Sequence, residues 1–276
     1  MRRRSDVLDL DPVSPRRWPG IRVLIPRSDA VAGSAASVLA VVVLWQVAST
    51  SWVPSILFPT PLQTLHGWAA MVREGVLLYD VGVSLGRIAI GFLLGTLIGV
   101  PLGIAMGLFR PIAVVLEPYV QFFRFVPPVA WIIPAILWFG IGETSKIFVI
   151  FYTTVFLVLL NTMAGVAAIA RNQIRSARCF GASHWQLFLW VSFPATMPYV
   201  LTGMRLGMGN SFAAVVGAEF IAAQAGLGFV IIESGTWMAT DRMFAGMLTL
   251  GLLGILADQL FRALSRRWAS RYLMPS

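Results

Sequence analysis

The chain is poor in charge, in cysteine and in lysine, and each shortage excludes something. Only 12% of its 276 residues are charged, against 58% hydrophobic, and the mean hydropathy is +0.79. A water-soluble domain carries about 25% charged residues and must cover itself with polar groups, so a soluble fold with an oversized core is excluded. Cys179 is the single cysteine, which rules out an intrachain disulfide. Lys146 is the single lysine, and no Gly-x-x-x-x-Gly-Lys-Ser/Thr loop surrounds it, so the chain has no P-loop with which to hydrolyse ATP. Histidine is limited to His66 and His184, far apart along the chain. No metal-ligand set and no nucleophile–base cluster is present, so neither a membrane-embedded enzyme nor a metal site is expected.

What is there is a series of long apolar runs. A hydrocarbon core of ~30 Å takes about 20 residues of helix. The runs predict an all-α, polytopic transmembrane helical bundle of about six spans: Val31–Ser49, Val83–Phe109, Ile112–Phe139, Ile147–Ala168, Thr196–Ala222 and Met243–Phe261. Arg124 and Pro127-Pro128 interrupt the third run, which is expected to be kinked or discontinuous. Residues 1–30, rich in Arg and Pro, read as a cytoplasmic arm without regular structure. Residues 31–276 form one transmembrane domain with a core at about 65–262.

The net charge of +9 is carried by arginine in 20 of 21 basic positions. Such a balance suggests nucleic-acid binding in a soluble protein, but here it follows membrane topology. Six spans place the arm, Arg110, the Arg171/Arg175/Arg178 loop and the tail Arg262, Arg266, Arg267 and Arg271 on one side. The other side receives only Arg73, Lys146 and Arg242. Basic short loops favour the cytoplasm, so both termini are expected inside.

Several residues stand out. Gly91, Gly95, Gly99, Gly103 and Gly107 recur every fourth position, a ridge without side chains suited to close helix packing. Arg205, Asn210 and Glu219 are polar within the fifth span. Ionisable groups at membrane depth face protein or water, so with Arg124, Pro127 and Pro128 they are candidates for lining a translocation path. In one reading the backbone groups freed at the break meet an anionic substrate. In the other, the break merely shapes the bundle and Glu219 is a strut paired with Arg87 or Arg124. Glu143 and Lys146 read as a solvated outer turn; Trp45, Trp131 and Trp138 read as anchors and packing.

The segment RNQIRSARCFGASHWQLFLWVSFP (171–194) is too polar at its start to span a bilayer. Arg171–Phe180 reads as an amphipathic helix stopped by Gly181. Ser183 with Gln186 is a capping box that starts a second short helix, and Pro194 and Pro198 mark entry to the fifth span. Gly181 and Ala182 leave a small elbow that fits a groove on another protein.

This segment resembles the signature of permeases in binding-protein-dependent ABC importers: Glu-Ala-Ala, three residues, Gly, nine residues, Ile, one residue, Leu-Pro. The matching residues are Arg175-Ser176-Ala177, Gly181, Val191 and Phe193-Pro194, at full spacing, with Arg175 replacing the leading acid. The likeness covers about residues 55–265. ILFPTP (56–61), FFRFVPPVAWIIPAILWFGIGETSK (122–146), GMRLGMG (203–209), AEFIAAQAGLGFVI (218–231) and SGTWMATD (234–241) resemble the nitrate/sulfonate/taurine branch, taurine permeases most of all. The resemblance implies a permease that changes no bond in its substrate and moves taurine or a related sulfonate or small organic anion by alternating access. It implies a homodimer in the bacterial inner membrane, two copies of a separate ATPase subunit that bind ATP and Mg, and a periplasmic substrate-binding protein. Arg175, Ser176, Ala177, Arg178, Gly181, Ala182 and Ser183 would dock the ATPase. The rival expectation is a stand-alone secondary transporter or channel for a small anion, for which Glu219 is the one candidate coupling carboxylate in the spans.

Overall fold

A computed structural model describes residues 27–51, 54 and 56–268, and its regular structure there is helical. The chain forms two compact units, Met1–Trp45 and Gln46–Ser276. Helix α1 (Arg27–Ser51) begins in the first unit and contains the expected first span, and Val38, Leu39, Val41, Val43 and Leu44 on it are exposed. The remainder of the expected 1–30 arm lies outside the described residues.

The second unit is built on three long helices: α3 (Val76–Leu108), α6 (Glu143–Ala167) and α9 (Phe193–Ala222). Helix α2 (Pro61–Arg73) precedes them, started by a capping box between Thr60 and Gln63. At 33 residues, α3 is about 50 Å long, more than the hydrocarbon core requires. It begins at Val76 rather than at the expected Val83, because Asp80 and Ser84 find buried partners and do not end the helix.

The glycine ridge of α3 lies on α6. A Cβ on Gly91 would sit 2.6 Å from Ile150, one on Gly95 2.6 Å from Thr154, one on Gly103 2.6 Å from the Leu159 carbonyl, and one on Gly107 2.5 Å from Val166. Side-chain atoms do not approach that closely, so only glycine fits these positions. The contacts advance in the same direction along both helices, which makes α3 and α6 parallel. α9 packs on α6 antiparallel: Gly165 meets Tyr199, Gly203 meets Asn161, and Thr154 shares a buried hydrogen bond with Ser211 at 3.0 Å. Ile88, Ile150, Phe212, Ala214 and Val215 join the three helices in one apolar cluster.

Parallel α3 and α6 require the chain to return across the bundle between them. Helix α4 (Arg110–Phe123), a 3-10 turn at Pro128–Trp131 and α5 (Ile132–Phe139) make that return with a 94° bend. The expected third span is therefore not one kinked helix. Pro127 and Pro128 provide no N–H groups to continue the ladder, and Tyr152 of α6 donates its hydroxyl hydrogen to the Phe123 carbonyl that the break exposes.

Helix α7 (Arg171–Cys179), a single turn α8 (His184–Leu187), and α10 (Leu227–Thr236) connect these elements to α11 (Thr240–Trp268). α11 runs antiparallel to α9, with Gly254 against Phe212 and Asp258 paired to Arg205. Among the described residues four helices are long and apolar enough to cross a membrane, five if the bent pair is counted as one span. The remaining expected span, Val31–Ser49, falls on α1, whose apolar part is the shorter stretch Ala35–Ser51. Exposed leucines such as Leu78, Leu93, Leu97, Leu252 and Leu260 line the outside, as lipid contact requires.

The ridge makes a direct prediction. Gly95→Leu pushes α3 off α6 and costs about 1–3 kcal/mol or more in overpacking. Gly251→Leu meets open space and leaves the protein unchanged. Thermal unfolding of the two variants in detergent should therefore diverge, and equal melting temperatures would contradict the contact.

Candidate functional sites: a docking elbow, a buried clamp and a polar cavity

The elbow forms from local sequence. Gly181 adopts φ +78°, a left-handed conformation glycine takes without strain. Its N–H donates to the Arg178 carbonyl at 2.9 Å, and that of Ala182 donates to Ala177 at 3.1 Å, which closes the end of α7. Gln186 N–H donates to Ser183 Oγ at 3.3 Å, and Ser183 N–H donates to Gln186 Oε1 at 2.8 Å, so the reciprocal cap is formed. Nothing lies within 4 Å of where a Gly181 Cβ would be. Arg175, Ser176 and Arg178 are exposed, as is Phe180 at 92%, while Ala177 and Ala182 are half-buried.

The second helix of the elbow is not the separate short helix expected. α8 runs through a π turn at Phe188–Ser192 directly into α9, so a nearly continuous helix extends from His184 to Ala222. Pro194 has no N–H to give the Trp190 carbonyl, and the wider π turn absorbs that missing bond.

At the other end of the bundle, Glu219 is fully buried and held on all sides. It accepts from Arg87 Nη1 at 2.7 Å, from Ser84 Oγ at 2.8 Å and from Gly228 N–H at 2.7 Å. Arg87 also donates to both oxygens of Glu143, at 2.5 and 2.6 Å, and to the Ala225 carbonyl at 2.7 Å. Asp80 accepts the Gly226 N–H and Ser84 accepts that of Leu227. Side chains of α3 and α9 thus cap the start of α10, whose first N–H groups have no partner within the helix. Gly226, at φ +119°, has no room for a Cβ against the Glu219 carboxylate.

This arrangement corrects one expectation. Of the expected solvated turn, Glu143 is exposed while also clamping Arg87, but Lys146 is not solvated: it is 5% exposed and donates to Glu143 at 3.2 Å. Of the two readings of Glu219, the strut to Arg87 describes its contacts. Sequence reasoning passed over Asp80 and Ser84. Their signal was the polar stripe Asp80–Ser84–Arg87, spaced at i, i+4 and i+7 on one helix face.

The third feature is a cavity of about 420 Å³ at the break, lined by Arg124, Pro128, Tyr152, Thr153, Phe156 and Asn210, among others. Arg124 and Asn210, separated by 86 positions in sequence, thus share one space. At the break Pro127 and Pro128 have no N–H, Val126 N–H donates to the Phe123 carbonyl at 3.0 Å and Ala130 N–H to the Pro127 carbonyl at 2.9 Å, and the Tyr152 hydroxyl also donates to Phe123. Pro127 shapes the bend beside the cavity. Arg205 does not line it; its guanidinium is paired bidentately with Asp258 at 2.6 and 3.1 Å on an exposed face. Trp131 packs with Phe123, Trp138, Phe148 and Tyr152.

Residues 95–270 match the family described as "Binding-protein-dependent transport system inner membrane component". The chain belongs to that family. It is a permease subunit of the ABC importers, in the branch that includes taurine and sulfonate permeases, and itself not an enzyme. It is 38% identical over 220 residues to a probable ABC transporter permease of Brucella abortus, covering 79% of this chain and 88% of the relative. To the taurine transport system permease of Escherichia coli it is 34% identical over 230 residues, covering 82% and 84%. The fold is similar to a chain in an inward-facing structure of the MetNI methionine ABC transporter, with TM-score 0.62 at 18% identity, covering 71% of this permease and 97% of that chain. This permease is a multi-pass membrane protein.

The two ion pairs differ in what they contribute. Breaking a buried pair leaves an uncompensated charge and costs about 3–5 kcal/mol. Glu219→Ala should sharply lower the melting temperature and open 223–228 to protease. Arg205→Ala, at an exposed pair, should leave both measurements near wild type. Equal effects would show that Glu219 is no strut.

Proposed function

We propose that this permease moves taurine or a related sulfonate or small organic anion inward by alternating access, powered by separate ATPase subunits. It works as a homodimer. Two copies of the ATPase, which bind ATP and Mg, dock on the 171–194 loops, and a periplasmic binding protein delivers substrate on the opposite side. The translocation path runs past Arg124, Pro128 and Asn210, with Pro127 fixing the break.

The observation that carries this reading is the elbow at Gly181. It is small, preformed and joined without a flexible linker to α9. Arg175, Ser176, Ala177, Arg178, Gly181, Ala182 and Ser183 present a rigid, basic, narrow projection that a groove in another protein can accept. Burial of a preformed element costs little ordering entropy. Sidedness supports it: the antiparallel packing gathers Arg110, Arg171, Arg175, Arg178, Arg262, Arg266 and Arg267 at the elbow end, the side that basic loops assign to the cytoplasm. The taurine assignment is supported by the Escherichia coli relative. A stand-alone ion-coupled transporter is disfavoured, because Glu219, the carboxylate singled out for coupling, is committed to Arg87, Ser84 and Gly228, while Asp80 accepts from Gly226 and Asp258 pairs with Arg205.

Gly181→Trp tests the reading. A bulky side chain at a left-handed position blocks the elbow without touching the bundle. The expected result is normal membrane insertion with loss of ATPase co-purification and of ATP-driven taurine uptake. Retention of both would contradict the proposed coupling.

A further inference from the structure

The cavity at the break has an asymmetry that specifies its ligand. Its lining contains one charged side chain, Arg124, and no acid. Among the described residues Arg124 forms no ion pair. Its guanidinium lies over the Phe125 ring, 4.6 Å from the centroid, which fixes its plane and leaves its N–H edges available. Asn210 adds an amide. Tyr152 lies about 14 Å along α6 from its start, and Asn210 about 18 Å along α9 from its end. The cavity therefore sits near mid-membrane, where an uncompensated guanidinium marks a site for an anion.

The hydroxyl groups have the opposite character. Thr153 Oγ1 donates its hydrogen to the Val149 carbonyl at 3.0 Å, and Tyr152 donates its own to Phe123. Both oxygens are left as acceptors only. Tyr152 and Phe156 pack edge-to-face with centroids 5.1 Å apart and both line the cavity, with Tyr152 further packed by Trp131 and Phe148, so Phe156 adds the aromatic surface that suits a cation. One part of the wall thus offers donors and positive charge, and another offers acceptors and π faces, within a volume fitted to a small molecule.

We infer that this cavity is a subsite for a small zwitterion, with its oxyanion on Arg124 and Asn210 and its ammonium against Tyr152, Thr153 and Phe156. The inference rests on the permease reading and deepens it: the membrane subunit itself recognises substrate, and it reads both ends. Tyr152, Thr153 and Phe156 become specificity residues for the amino group.

The test is direct binding to the purified permease in nanodiscs, with taurine, ethanesulfonate and ethanolamine as probes. Taurine is expected to bind, ethanesulfonate about tenfold more weakly, and ethanolamine not measurably. Charge-assisted hydrogen bonds are strong, so Arg124→Gln should weaken taurine and ethanesulfonate about tenfold or more, while Arg124→Lys retains part of the affinity. Phe156→Leu should weaken taurine and leave ethanesulfonate unchanged. Because Arg124 is exposed, Arg124→Gln keeps its melting temperature and its co-purification with the ATPase. Loss of binding with docking retained therefore supports the subsite independently of the elbow. Wild-type affinity in Arg124→Gln, equal affinity for taurine and ethanesulfonate, or no binding of any probe by the wild type would overturn it.

Discussion

The close approach of α3 to α6 is the constraint on which the rest of this permease depends. Lipid tails are as apolar as leucine, so helices in a bilayer gain nothing from hydrophobic burial against each other and rely on packing contacts. Five glycines spaced by four residues bring the α3 backbone onto Ile150, Thr154, Val155, Leu159 and Val166 of α6. Smaller sets of glycines do the same between α6 and α9. The three helices form a slab whose members cannot slide past each other without clashes. At one end of the slab, Arg87 and Glu219 tie α3, α6, α9 and α10 together. The broken element leans on its face, held by the Tyr152 hydroxyl.

On this slab, α9 connects the two functional ends. Counting from His184, the helix reaches Asn210 after about 39 Å and Glu219 after about 53 Å. One nearly continuous helix joins the elbow to the cavity wall and to the clamp, so in the proposed coupling it would carry a displacement between them. Its π turn is the one irregular step, at the point where it enters the bundle. The facing wall of the cavity, with Arg124, belongs to the broken element and not to the slab. On the function proposed above, motion of α9 would change the spacing between Asn210 and Arg124, as a path that opens alternately requires.

The sequence revealed some of this and concealed the rest for physical reasons. Local rules carried the elbow: the left-handed Gly181 and the Ser183–Gln186 box need no partner beyond a few residues. The same box at Thr60–Gln63 was equally visible in TPLQ and was not read. The glycine ridge was legible because its period is a property of one helix. The break was legible at Pro127-Pro128, but its 94° angle was not, since it depends on Tyr152 and on where α5 packs. The clamp was legible only as one of two readings of Glu219, because Arg87 is 56 and 132 positions from Glu143 and Glu219 and Asp80 is 146 from Gly226, and Lys146 looked solvated only because its neighbours Thr144 and Ser145 are polar. Arg205 and Glu219 looked alike in one apolar run, yet one is exposed and paired with Asp258 while the other is buried and paired with Arg87.

The central claim is that α9 transmits motion from the elbow to the cavity as a rigid helix. Replacing Leu189 and Trp190 in the π turn with glycine softens this connection by about 1 kcal/mol per residue relative to alanine and keeps the register. Coupled ATP hydrolysis and uptake by the assembled importer in proteoliposomes measure the result. The account predicts that the ATPase still docks and hydrolyses ATP while uptake per ATP falls sharply. Uptake at the wild-type ratio would contradict it.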